Sequence, residues 1–69
     1  MSPGLKSAIR LYGSKMSLAA AAGVYPNSVE YWIARGVPAR RCVELERLTG
    51  IPRARFNPRI FTPDRRRNG

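Results

Sequence analysis

The stretch Ser14–Ala34, SKMSLAAAAGVYPNSVEYWIA, decides the fold. It reads as two short helices joined by a tight turn at Gly23. Lys15–Ala22 is good helix-forming sequence, and Leu18, Ala19 and Ala22 share one face at i, i+1 and i+4. Gly23 is free to take the left-handed backbone conformation at which a helix stops and the chain turns. Pro26 suits the first position of the next helix, where its fixed φ helps and its missing N–H costs nothing. Val29, Trp32 and Ile33 form the inward face of that helix. Ala19, Gly23, Val29 and Trp32 thus fall at relative offsets of four, ten and thirteen. A helix-turn-helix needs this pattern: a small residue where the helices touch, a glycine at the turn, and bulky apolar anchors on the second helix.

The flanking sequence extends the same reading. Ser2-Pro3 caps and opens a first helix whose apolar stripe is Leu5, Ala8, Ile9 and Tyr12, with Lys6, Ser7 and Arg10 opposite. Gly13 closes it. Ser14, rather than Ser17, caps the next helix, because Leu18 must already point inward. The third helix runs Pro26–Arg35 and stops at Gly36. A fourth covers Ala39–Thr49, with Cys42, Leu45 and Leu48 facing the core and Val43 on its margin. Arg40, Glu44 and Arg47 lie outside, at i,i+4 and i,i+3 spacings worth about 0.2–0.5 kcal/mol per pair. Glu46 has Arg41 or the backbone within reach. Gly50 ends this helix and Pro52 allows one more short turn. Phe56, Ile60 and Phe61 are expected to fold back and plug the open end of the core.

The expectation is an all-α, compact five-helix bundle over residues 1–61. A basic tail, residues 62–69, TPDRRRNG, has no apolar anchor and is expected to be disordered. A short β segment around Arg55–Phe61 is the main rival, although prolines interrupt that region.

Composition narrows the function classes. Sixty-nine residues make one small domain, which buries only about 60% of its unfolded surface. A deep cleft of the usual few hundred cubic ångströms is hard to fit into it. With no histidine, one cysteine and four scattered carboxylates, neither histidine-based acid–base chemistry nor a metal site is expected. Glu44 and Glu46 point about 200° apart on a helix and make no carboxylate pair. The chain is therefore expected to have no catalytic residues, no cofactor and no small-molecule substrate. Cys42 reads as a small buried apolar residue in a reducing cytoplasm. No apolar run is long enough for a membrane span, and the N-terminus lacks an apolar signal core.

Charge supplies the positive evidence. The formal net charge is +9, from 13 Lys+Arg against 4 Asp+Glu, and the sequence pI is near 11.4. This favours an anionic partner. Residues 1–36 carry four bases (Lys6, Arg10, Lys15, Arg35) and one acid, Glu30, whereas residues 37–69 carry nine bases and three acids. In a helix-turn-helix the second helix enters the major groove of double-stranded DNA while neighbouring helix starts and loops grip phosphates. Arg35, Arg40 and Arg41 follow that helix closely. Lys15 and the free N–H groups at the start of the second helix offer a further phosphate site. The outward positions of the third helix are Tyr25, Asn27, Ser28, Glu30, Tyr31 and Ala34. Asn27 suits an adenine edge, Ser28 can donate or accept, and Tyr31 can pack on a thymine methyl or a sugar. Glu30 repels phosphate unless it accepts from a cytosine amino group or ties down an arginine such as Arg35. A basic RNA-binding or adaptor protein is the alternative from another class.

The order of motifs resembles a known family. Leu18-Ala-Ala-Ala-Ala-Gly23-Val24 is followed by Val29-x-x-Trp32 and by Val37-Pro38-x-x-Arg41-Cys42-x-x-Leu45-Glu46-x-x-Thr49-Gly50. Arg53-x-x-Phe56-x-Pro58-x-x-Phe61 completes the pattern. It resembles the Cro-like, lambda-repressor-like regulators of phages and prophages, in the branch of YdaS-type Cro repressors and antitoxins, over Ser14–Phe61. The resemblance implies a repressor that binds an inverted-repeat operator, as a weak homodimer or one formed only on DNA, in the cytoplasm of a bacterial host. The antitoxin reading adds a toxin partner. By the same resemblance Tyr25, Pro26, Asn27, Ser28 and Tyr31 occupy base-reading and groove-edge positions, and Lys15 and Ser17 the phosphate-contact region. Two positions depart from the family. Ser or Thr is frequent where this chain has Tyr25, and a polar reader such as glutamine where it has Pro26. Tyrosine cannot cap the third helix, and proline moves the reading load to Asn27 and Tyr31.

Overall fold

The computed structural model describes residues 1–61. It contains α1 (Pro3–Tyr12), α2 (Lys15–Ala22), α3 (Pro26–Arg35), α4 (Ala39–Thr49) and α5 (Arg53–Phe56). The first four have the bounds that capping and periodicity predict, and α5 is the short turn allowed after Pro52. No strand forms among the described residues. The carbonyl of Asn57 accepts from the N–H groups of Ile60 and Phe61, at 3.2 and 3.0 Å. These local bonds curl the segment that the β alternative required to be extended. The expected disorder of 62–69 lies outside the described residues.

Local bonds set the boundaries. The Ser2 hydroxyl accepts from the N–H of Leu5 at 3.3 Å, and the Ser14 hydroxyl accepts from the N–H of Ser17 at 3.1 Å. Ser14 is therefore the cap of α2. At the α2–α3 turn Gly23 takes φ 73°. The N–H of Gly23 donates to the Ala20 carbonyl at 3.2 Å and that of Val24 to the Ala19 carbonyl at 2.9 Å. This paired closure is a Schellman motif, with Val24 packed on the core beside it.

Helix α2 is the hub and touches α1, α3 and α4, while α5 touches α1 and α4. The helices α1, α2, α4 and α5 thus close a ring, and α3 packs chiefly on α2. The core is Leu5, Ala8, Leu18, Ala19, Val29, Trp32, Val37, Cys42, Leu45 and Phe56, with no buried polar residue among those described. Phe56 is fully buried, a contribution of about 1.5–3 kcal/mol from removing its ring from water. Cys42 is buried as expected, and burial pushes its thiol pKa up, against a smaller lowering influence from Arg53.

Two residues with no sequence signal close the ring. A Cβ on Gly4 would stand 2.7 Å from the carbonyl carbon of Arg55 and 2.9 Å from the backbone nitrogen of Phe56. Helices α1 and α5 therefore meet backbone to backbone, and only glycine fits. Asn57 reaches back from the end of α5, donating from Nδ2 to the Val37 carbonyl at 2.7 Å. The same carbonyl accepts the Cys42 thiol at 3.5 Å.

Some expectations fail for identifiable reasons. Leu48 is 39% exposed instead of core-facing. It lies about 120° around the helix from Cys42, so the inward line runs from Cys42 through Leu45 to Thr49. The Thr49 hydroxyl is satisfied there, donating to the Leu45 carbonyl at 2.7 Å. Ile60 does not join the plug and is 49% exposed, because the turn at Asn57 directs Phe61 onto the core instead. Glu44 pairs with Arg41 at 2.7 Å rather than with Arg40 or Arg47. Glu46 reaches neither Arg41 nor the backbone; it pairs with Arg53 at 2.7 Å. The Arg53 guanidinium also stands 5.5 Å from the Phe61 ring, so this cation ties α4 to the returning chain.

Candidate nucleic-acid interface

Helix α3 exposes one face because Val29 and Trp32 are turned into the core. Tyr25 at its start is 82% exposed. Pro26, Asn27, Glu30, Tyr31 and Ala34 are also exposed, whereas Ser28 is half-buried. No side chain caps α3, as tyrosine at this position predicts. The Tyr25 carbonyl accepts from the N–H of Ser28 at 2.9 Å and holds the first turn.

Basic side chains flank this face. The Lys15 ammonium lies 3.0 Å from a Glu30 carboxylate oxygen, bridging the start of α2 to the middle of α3, with the two side chains 48% and 59% exposed. The cation that Glu30 ties down is thus Lys15 and not an arginine such as Arg35. Arg35 instead places its guanidinium 5.9 Å from the Tyr31 ring centre. It is exposed at the last turn of α3. The structure thus joins Lys15, Glu30, Tyr31 and Arg35 to the outward face in two contacting pairs. Ser17 is exposed nearby, its hydroxyl accepting from that of Ser14 at 3.0 Å.

The helix starts carry an unusual charge pattern. None of the five helices has an acid in its first turn. Helix α2 begins with Lys15, and the first turn of α4 carries Arg40 and Arg41. A cation there opposes the helix dipole, at about 0.3–1 kcal/mol each. The dipole and these side chains are positive at the same end, a combination that favours an anion.

Arg40 is exposed, but Arg41 is not fully so. Half-buried and paired with Glu44, it lines an open groove between α2 and α4 of about 330 Å³, with Ala21, Ala22, Trp32, Leu45 and Leu48. This groove is an open trough between helices and not an enclosed cleft, so it is compatible with a chain of this length. Among the described residues no three metal-ligating side chains come together, and no helix is long and apolar enough to cross a membrane.

The fold and sequence have known counterparts. The family described as bacterial toxin YdaS matches residues 5–63. The Cro protein from prophage element Xfaso 1 of Xylella fastidiosa strain Ann-1 has a similar solved structure, with a TM-score of 0.77 at 35% sequence identity. The similarity covers 87% of this chain and 97% of that one. A search of curated proteins gave no match. With the helix-turn-helix geometry, the family match and the Cro likeness in agreement, the chain belongs to the YdaS family of Cro-like helix-turn-helix proteins.

Proposed function

We infer that this chain is a DNA-binding transcriptional regulator of the Cro type. One observation carries the reading: bases occupy the first turns of α2 and α4, where they oppose the helix dipole, beside an exposed α3. Cations placed against helix stability are explained by an anionic partner. Helix α3 enters the major groove, with Asn27 and Tyr31 reading base edges and Tyr25, Pro26 and Ser28 at the groove edge. Lys15, Ser17, Arg35, Arg40 and Arg41 hold phosphates. A dimer over two half-sites, about 34–36 Å apart, occludes polymerase. Residues 1–61 carry this activity, Arg65–Arg67 add non-specific attraction, and the site of action is the host cytoplasm.

A gel shift against DNA flanking the protein's own gene tests the reading. The expected result is preference for one inverted repeat over random duplex. Asn27→Ala then flattens base preference, and Arg41→Ala weakens all sequences alike. Salt-sensitive binding with no preference, or tighter binding to single-stranded RNA at matched salt, overturns it. The family's description as a toxin favours one second reading, in which the same surface serves a regulator that also has a protein partner. Co-purification with a neighbouring gene product separates that reading from a self-sufficient repressor.

A further inference from the structure

The Lys15–Glu30 pair is the one feature of the α3 face that works against binding DNA. Glu30 is the sole acid among residues 1–36, and it stands in the middle of the exposed face. Its partner is the cation at the start of α2, 3.0 Å away. Both side chains are about half exposed, and exposed pairs of this kind contribute little to fold stability. A stability role is therefore a weak account of why a carboxylate sits there. Its electrostatic effect is direct. While the pair is closed its net charge is zero, so the cation at the start of α2 no longer attracts a phosphate that approaches the helix.

Resting on the DNA-binding reading above, we propose that Glu30 is a specificity-determining residue that withholds Lys15 from phosphates. On arbitrary duplex, which approaches α3 only loosely, the carboxylate keeps the ammonium. On a matching site, α3 seats deeply enough for Lys15 to exchange Glu30 for a phosphate oxygen. Glu30 thereby lowers affinity for all duplexes, and lowers it most for the wrong ones. Neutralising one further phosphate adds about 0.9 to the magnitude of the salt slope, so one contact changes affinity about 3.5-fold between 50 and 200 mM salt.

The test measures binding of the full chain and of Glu30→Gln to the operator and to a shuffled duplex across that salt range. Glutamine keeps the side chain's size and polarity while removing its charge. The expected result is tighter binding to both duplexes, by about threefold or more on the shuffled one. The salt slope on shuffled DNA steepens by about 0.9, and the ratio of specific to non-specific affinity falls. Lys15→Gln combined with Glu30→Gln should abolish that steepening. An unchanged slope and affinity overturns the proposal. So does a selective loss confined to one base pair, which makes Glu30 a cytosine reader, or a uniform loss with a lowered Tm, which makes it structural. Failure of the parent chain to prefer any operator refutes the regulator reading instead, and is seen without the variant.

Discussion

Replacing Gly4 with alanine tests the closure of the helical ring. The new Cβ meets backbone atoms of Arg55 and Phe56 at 2.7 to 2.9 Å, and backbone cannot swing aside as a side-chain tip can. Ordinary contact begins at 3.4 Å, so α1 and α5 must part by about 0.7 Å. Overpacking of this kind costs about 1–3 kcal/mol. Alanine returns up to about 1 kcal/mol of helix propensity, and less at a position this close to the helix start. The net loss is about 1–2 kcal/mol, which for a domain of this size lowers Tm by roughly 5–15 °C. Thermal melts followed by far-ultraviolet circular dichroism and by Trp32 fluorescence measure it. Ser7→Ala, on the exposed side of the same helix, is the control and should shift Tm by a degree or two at most. A Gly4→Ala protein that melts at or above the parent refutes the close approach of the two backbones.

Two further perturbations address the interior. Asn57→Asp replaces the donor that the Val37 carbonyl uses at 2.7 Å with an oxygen of nearly the same shape. At neutral pH the loss should be about 1–3 kcal/mol. Urea melts of the variant and the parent at neutral pH measure it. For Cys42, burial raises the thiol pKa, so the fold favours the protonated form. That contribution is complete below the ordinary thiol value and is lost as pH rises through the raised one. Comparing alkaline melting curves of the parent and Cys42→Ala should show this part of the decline absent from the variant.

What could be read from the sequence was whatever is decided within a turn or two of the chain. Ser2, Ser14, Gly23 and Gly50 cap their own helices, so their chemistry alone predicts the boundaries of α1, α2 and α4. Pro26 likewise marks the first residue of α3. Long-range closure left no such trace. Asn57 and Val37 are 20 residues apart, and Gly4 meets a backbone at the other end of the fold, so neither position has a periodicity to reveal it. The partner of Glu30 was hidden similarly, since Lys15 lies 15 residues away across the turn while Arg35 is nearer in sequence. Leu48 shows a different failure. Its apolar character suggested burial, but its angle on the helix pointed outward, and geometry prevailed. The candidate interface was visible as a region because burial of Val29 and Trp32 fixes which face of α3 remains. Its internal pairing depended on tertiary placement.

The attachment of α3 to the rest of the chain has an evolutionary consequence. The ring of α1, α2, α4 and α5 closes without it, and it is anchored mainly through Val29 and Trp32 against α2. Asn27, Glu30, Tyr31 and Ala34 take no part in the core, and surface changes of that kind usually alter stability by less than about 0.5 kcal/mol. Even in a domain with little stability in reserve, this helix can drift through many sequences while the scaffold keeps folding. A lineage of such proteins can diverge in target faster than in architecture, with α3 acting as an exchangeable cassette.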